Sequence, residues 1–126
     1  MFSINIICPQ FLVNGATDYD ADDLEGAIYK FESSHPQTPQ HFWDAVKSLD
    51  KEELRYLVYF WTDSYAMPKE GLLKVKFPSA KPGGSIDAHT CNSELRLPAA
   101  EFDLPMMKAA IAVAINTAKE KMYNMP

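Results

Sequence analysis

Residues 85–99 read SIDAHTCNSELRLPA, and the way this stretch folds decides the architecture of the chain. Leu95 and Leu97 continue the Cys91 side of an alternation, with a small break at Ser93, so residues 88–98 are predicted as a strand that Pro98 ends. Upstream, LLKVKF (72–77) puts Leu73, Val75 and Phe77 on one face and two lysines on the other, which is a second strand. Between the two lies PSAKPGGSID (78–87). Its double glycine lacks the Gly-Lys-Ser/Thr of a phosphate-binding loop and no helix follows it directly, so it reads as a turn.

Helices flank these strands. Asp20 is placed to cap a short helix in which Leu24, Ile28 and Phe31 fall at i, i+4 and i+7, although Gly26 weakens that pattern. ESSHPQTPQ (32–40) carries two prolines and no aliphatic residue, the signature of an extended break. Thr38-Pro39 then supplies an N-cap and a proline at the first helical position, with Phe42, Trp43 and Val46 on the apolar face. Asp50 and Glu53 have capping-box spacing for a further helix, on which Leu54, Leu57, Val58 and Trp61 share a side. The last helix starts at Asp103-Leu-Pro and steps through Leu104, Met107, Ile111, Ile115, Ala118 and Met122. The fold class expected is α/β (α+β): a small β-sheet packed with several helices.

At 126 residues, with 47% hydrophobic and 23% charged content, the chain is long enough for one domain with a real core. A net charge of −5 argues against a nucleic-acid binder, which needs a basic face. Lys74, Lys76 and Lys81 are explained as a solvated strand edge. No apolar run reaches membrane-spanning length. The opening MFSINIICPQFLV lacks a basic start and a small-residue cleavage site, so it reads as a buried strand and not as a signal peptide. Cys8 and Cys91, the two cysteines, have neither metal-ligand spacing nor the density of a secreted disulfide scaffold. A cytoplasmic or nuclear setting, no metal, no cofactor and no membrane are expected.

Most lone cysteines are buried, inert hydrophobes, and Cys8, among Ile6, Ile7 and Pro9, fits that description. Cys91 differs. A polar loop precedes it, and His89 lies two residues back, about 6.6 Å away along an extended chain. A protonated His89 favours the thiolate, the reactive form. That separation is too long for an obligatory Cys-His hydrogen bond, and nothing brings His35 or His41 closer, so a Cys-His hydrolase has little support. A cysteine that takes an acyl group from another thioester needs less: an exposed, partly ionised thiol and a second protein to hold the donor.

The segment IDAHTCNSELRLP resembles the catalytic-cysteine segment of HECT-type ubiquitin ligases, written LPxAHTCxNxLxLP. FWDAVKSLDKEELRYLVYFWTDSYAMPKEGL resembles the same family's helix-helix-loop run, with Phe42-Trp43, Pro68 and Gly71 at matching places. The resemblance covers roughly residues 29 to 126 and implies the C-terminal lobe of a HECT domain. It implies that residues 1–28 are an N-terminal segment, the end of the N-lobe or a lead-in, and that the inter-lobe hinge lies near 32–40.

By the same resemblance, Cys91 accepts ubiquitin from a conjugating enzyme as a thioester and passes it to a substrate lysine. His89 and Thr90 shape the catalytic loop, and Tyr123 stands where the family has a tail phenylalanine that positions the attack. The implied partners are ubiquitin, a conjugating enzyme bound through an N-lobe, and a protein substrate, with the chain a monomer. The chain departs from the family pattern in four respects: Asn92 replaces an aromatic residue, Thr62-Asp63 replaces Thr-Gly, Tyr123 replaces Phe, and no Gly-Phe-Gly precedes the end. The alternative is a noncatalytic ubiquitin-binding or scaffold lobe that keeps the fold. A third reading is an unrelated small α/β interaction domain.

Overall fold

The computed structural model describes residues 18–33, 35–78, 85–98 and 103–123, with the side chains of 122 and 123 left out. The strand expected in MFSINIICPQFLV, the double-glycine loop and Cys8 lie outside the described residues.

The described chain runs through helix α1 (Ala21–Gly26), strand β1 (Ile28–Phe31), helices α2 (Thr38–Lys47) and α3 (Lys51–Thr62), and strand β2 (Leu73–Lys76). Strand β3 (Asp87–His89), a 3-10 turn (Thr90–Asn92), strand β4 (Glu94–Arg96) and helix α4 (Leu104–Tyr123) follow. The sheet order is β1-β2-β4-β3. β1 and β4 both run parallel to β2, and β3 runs antiparallel to β4. The fold is therefore α/β, helices on a small mixed sheet.

Local chemistry sets the helix ends. Asp20 and Asp23 exchange side-chain and backbone hydrogen bonds at the start of α1, as Asp50 and Glu53 do at the start of α3. Each box satisfies backbone N–H groups that a helix leaves unpaired at its first turn. Asp103 does the same for Met106 in α4.

Three expectations need correction. Lys74 and Lys76 do not mark a strand edge: β2 is paired on one side with β1 and on the other with β4, a long-range arrangement that the local alternation does not encode. The helix capped by Asp20 does not reach Ile28 and Phe31. It ends at Gly26, where the missing side chain favours a stop, and Ile28–Phe31 pair with β2 as strand β1. The N-cap of α2 is Gln37, with no side-chain hydrogen bond; Thr38 and Pro39 are already inside the helix and Thr38 is buried. Proline is tolerated there because first-turn N–H groups have no intrahelical partner.

One core joins these elements. Phe42 of α2 lies edge-on to Phe31 of β1, to Trp43, and to Trp61 of α3, with ring centroids 5.5, 5.0 and 6.0 Å apart. Such edge-to-face pairs add to the stabilisation from burial alone. Leu57, Val58, Leu73, Val75 and Leu95 complete the layer between α3 and the sheet, and Met107, Ile111 and Ile115 press α4 onto the helices. Tyr19 and Leu24 belong to the same core, and the Tyr19 hydroxyl donates 2.8 Å to the carbonyl of Tyr65. Among the described residues, no helix is long and apolar enough to cross a membrane.

Candidate active site around Cys91

The segment 88–98 is not one strand. It is β3, a 3-10 turn and β4, and Cys91 sits in the turn. Ser93 makes the break: its backbone is left-handed, with φ of 51°, and it re-aims the chain so that Leu95 and Leu97 enter the core while Cys91 stays exposed. Cys91 therefore does not share the face of Leu95 and Leu97, because an alternation cannot continue through a left-handed residue.

Backbone carbonyls hold the turn in place. The Ser93 carbonyl accepts from the Lys74 N–H at 3.0 Å and from the buried Trp61 indole Nε1 at 2.9 Å. The same indole lies 3.2 Å from the carbonyl of Lys74, so Trp61 joins β2 to the exit of the turn. Lys74 Nζ donates 3.1 Å to the carbonyl of Asn92, and the Ser93 N–H closes the turn on the Thr90 carbonyl at 3.1 Å. Lys74, Ser93 and Trp61 did not stand out in the sequence as site residues. Trp61 carried a usable signal, since a buried indole N–H must find an acceptor.

Charged and titratable groups flank the turn on β3 and β4. His89 is 44% exposed and its Nε2 lies 3.7 Å from Asp87 Oδ2, a loose contact along β3. Across the strand pair, His89 faces Glu94. Glu94 is buried, and its hydrogen bond from Arg96 holds its carboxyl below the ordinary range against the opposing pull of burial, helped by the charges of Arg96, Lys76 and His89. Thr90 and Asp87 line a groove between α3, β3 and α4, with Tyr59, Phe60, Thr117 and Lys121 on its other walls. Tyr123 closes α4, and its side chain lies outside the described set. Among the described residues, no group of His, Cys, Asp or Glu could hold a metal ion.

The helix α3 ends on Asp63, whose backbone is left-handed with φ of 65° and whose N–H donates to the carbonyl of Tyr59. Glycine is the usual occupant of such a cap, which is the physical meaning of a Thr-Gly step here. Asp63 tolerates the conformation and gains a contact: Lys121 Nζ donates 2.7 Å to its carboxylate, which raises the lysine's pKa. Thr62 keeps its part, donating to the Val58 carbonyl at 2.9 Å and accepting from the Ser64 N–H at 3.2 Å. Asn92 is exposed, so an aromatic residue there is not demanded by packing.

Comparison with known proteins points the same way. The model of the HECT-domain (ubiquitin-transferase) family matches residues 7–125. The probable E3 ubiquitin-protein ligase TOM1 of Eremothecium gossypii is 32% identical over 123 residues, covering 88% of this chain and 4% of that protein. The E3 ubiquitin-protein ligase ptr1 of Schizosaccharomyces pombe is 30% identical over 125 residues, again 88% of this chain and 4% of that protein. The mouse E3 ubiquitin-protein ligase HUWE1 is 28% identical over 124 residues, 88% of this chain and 3% of that protein. The chain thus spans a few hundredths of the length of these relatives.

Proposed function

The chain belongs to the HECT-domain (ubiquitin-transferase) family, and from that premise we propose that Cys91 carries ubiquitin as a thioester between a conjugating enzyme and a protein lysine. The observation that carries this reading is the exposed Cys91 thiol on a turn whose backbone carbonyls accept hydrogen bonds from Lys74 and Trp61. A thiol presented that way meets a thioester held by another protein without moving the core. In the loading step the thiolate attacks the donor carbonyl, one C–S bond forms and another breaks, and the donor thiol leaves. No strong base is required, so the reading does not depend on a close Cys-His pair.

His89 and Thr90 act as loop supports in this reading, Thr90 through its carbonyl and His89 through its strand pairing with Glu94. Tyr123 acts in the tail. Ubiquitin, a conjugating enzyme and a protein substrate are the partners, the conjugating enzyme docking on an N-lobe, and a reduced, cytoplasmic or nuclear setting keeps the thiol available. The division of the chain at residue 28 and an articulation near 32–40 belong to the same proposal, although the shared core of Tyr19, Leu24 and Trp61 weighs against a joint after α1.

Covalent capture tests the reading. The 126-residue chain is mixed with ubiquitin activated as a C-terminal thioester, and intact mass is read without reductant beside Cys91→Ala and Cys8→Ala. A thiol-labile ubiquitin adduct that needs Cys91 and not Cys8 supports it. If no adduct forms while ubiquitin still binds, the noncatalytic binding lobe replaces it.

A further inference from the structure

Resting on the thioester reading of Cys91, we propose that Asp87 is a further catalytic residue, the carboxylate that receives the attacking lysine in the second half-reaction. A lysine reaches a thioester as an ammonium ion and must lose a proton before its nitrogen can attack. A carboxylate beside the thioester both draws the cation in and takes that proton.

Asp87 stands on the groove that borders the Cys91 turn. It lies on β3, immediately before the turn, and lines the same groove as Thr90, the neighbour of Cys91. Its Oδ1 is anchored by the N–H of Ala88 at 2.9 Å, which fixes the side chain. Among the described residues its Oδ2 stands against His89 Nε2 at 3.7 Å, beyond ordinary hydrogen-bond length. The side chain is 20% exposed, enough to meet a ligand and shielded enough to strengthen the attraction.

Two basic residues around it, one lining the same groove and one across the strand pair, are engaged elsewhere, and Lys121 also lies over the Tyr59 ring, 5.3 Å from its centroid. Lys121, on the opposite wall, donates to Asp63, and Arg96, the cross-strand partner of Asp87, donates to Glu94. Tyr59 and Phe60 give the groove apolar walls that suit the methylene stem of a lysine. The groove is thus built to admit one more amine.

The step balances as follows. One ammonium proton passes to the Asp87 carboxylate, and the neutral amine attacks the thioester carbonyl. A C–N bond forms, the tetrahedral adduct collapses, and the C–S bond breaks with its electron pair left on Cys91 sulfur. A second nitrogen proton goes to that sulfur, and Asp87 returns its proton to solvent.

The test uses the full 126-residue chain, loaded on Cys91 from chemically activated ubiquitin thioester and then discharged to free lysine or to hydroxylamine. Asp87→Asn keeps an oxygen for the Ala88 N–H, and Asp87→Glu keeps the charge. Expected is normal loading of Asp87→Asn, discharge to lysine slowed about tenfold or more, and discharge to hydroxylamine, neutral at working pH, unchanged. Asp87→Glu recovers part of the lysine rate. Equal lysine rates for Asp87→Asn and the parent overturn the inference, and so does slowing with both amines, which marks a structural role. A parent chain that never loads defeats the thioester reading and this inference with it.

Discussion

The indole Nε1 of Trp61, buried in the middle of the molecule, donates 2.9 Å to the carbonyl of Ser93, the residue at which the chain leaves the Cys91 turn. A core side chain thereby sets the position of an exposed thiol. Trp61→Phe keeps most of the volume and removes the donor. It is expected to cost about 1–3 kcal/mol in urea unfolding. It should also broaden the turn, seen as a change in the rate at which Cys91 is alkylated.

Asp63 occupies a left-handed cap at 65°. Asp63→Val places a β-branched side chain in that conformation and also removes the Lys121 contact, and should lose about 1–2 kcal/mol. Asp63→Gly relieves the backbone while losing an exposed ion pair, so it should stay within about 1 kcal/mol of the parent. Thermal unfolding of both variants checks the ordering.

Glu94 gives the fold an acid limb. Arg96 holds its carboxyl below its ordinary value of 4.5 in the folded chain. The group binds a proton more readily when unfolded, so its contribution is fully present above that value and is lost as pH falls through the lower folded pKa. Urea midpoints should fall in acid for the parent, and Glu94→Gln should flatten the part of the fall that lies below the ordinary glutamate value.

Cys91 projects from its turn and is exposed. Cys91→Ala should therefore leave stability within about 0.5 kcal/mol while abolishing the thiol-labile adduct. Denaturation and intact mass on the same sample separate the two effects.

The sequence showed the helices well where capping and periodicity agreed, as at Asp50–Glu53 and along Leu54, Leu57, Val58 and Trp61. It missed β1 because Ile28 and Phe31 happen to keep helical spacing from Leu24, while the pairing of Ile28 with Leu73 on a distant strand is a tertiary fact. Cys91 was visible from its polar flanks. Its holders were not, since Lys74 and Trp61 reach it from elements remote in the chain, and a left-handed Ser93 has no pattern of its own. Asp87 escaped notice because a carboxylate before His-Thr-Cys gains meaning only beside the groove walls of α3 and α4.

The turn that carries Cys91 is clasped through the main-chain oxygens of Thr90, Asn92 and Ser93. Such a clasp is blind to lettering: the side chains at 90 and 92 can be exchanged over evolution or by design while the sulfur keeps its address. The surface around the turn can thus drift in shape and charge without rebuilding the support of the thiol.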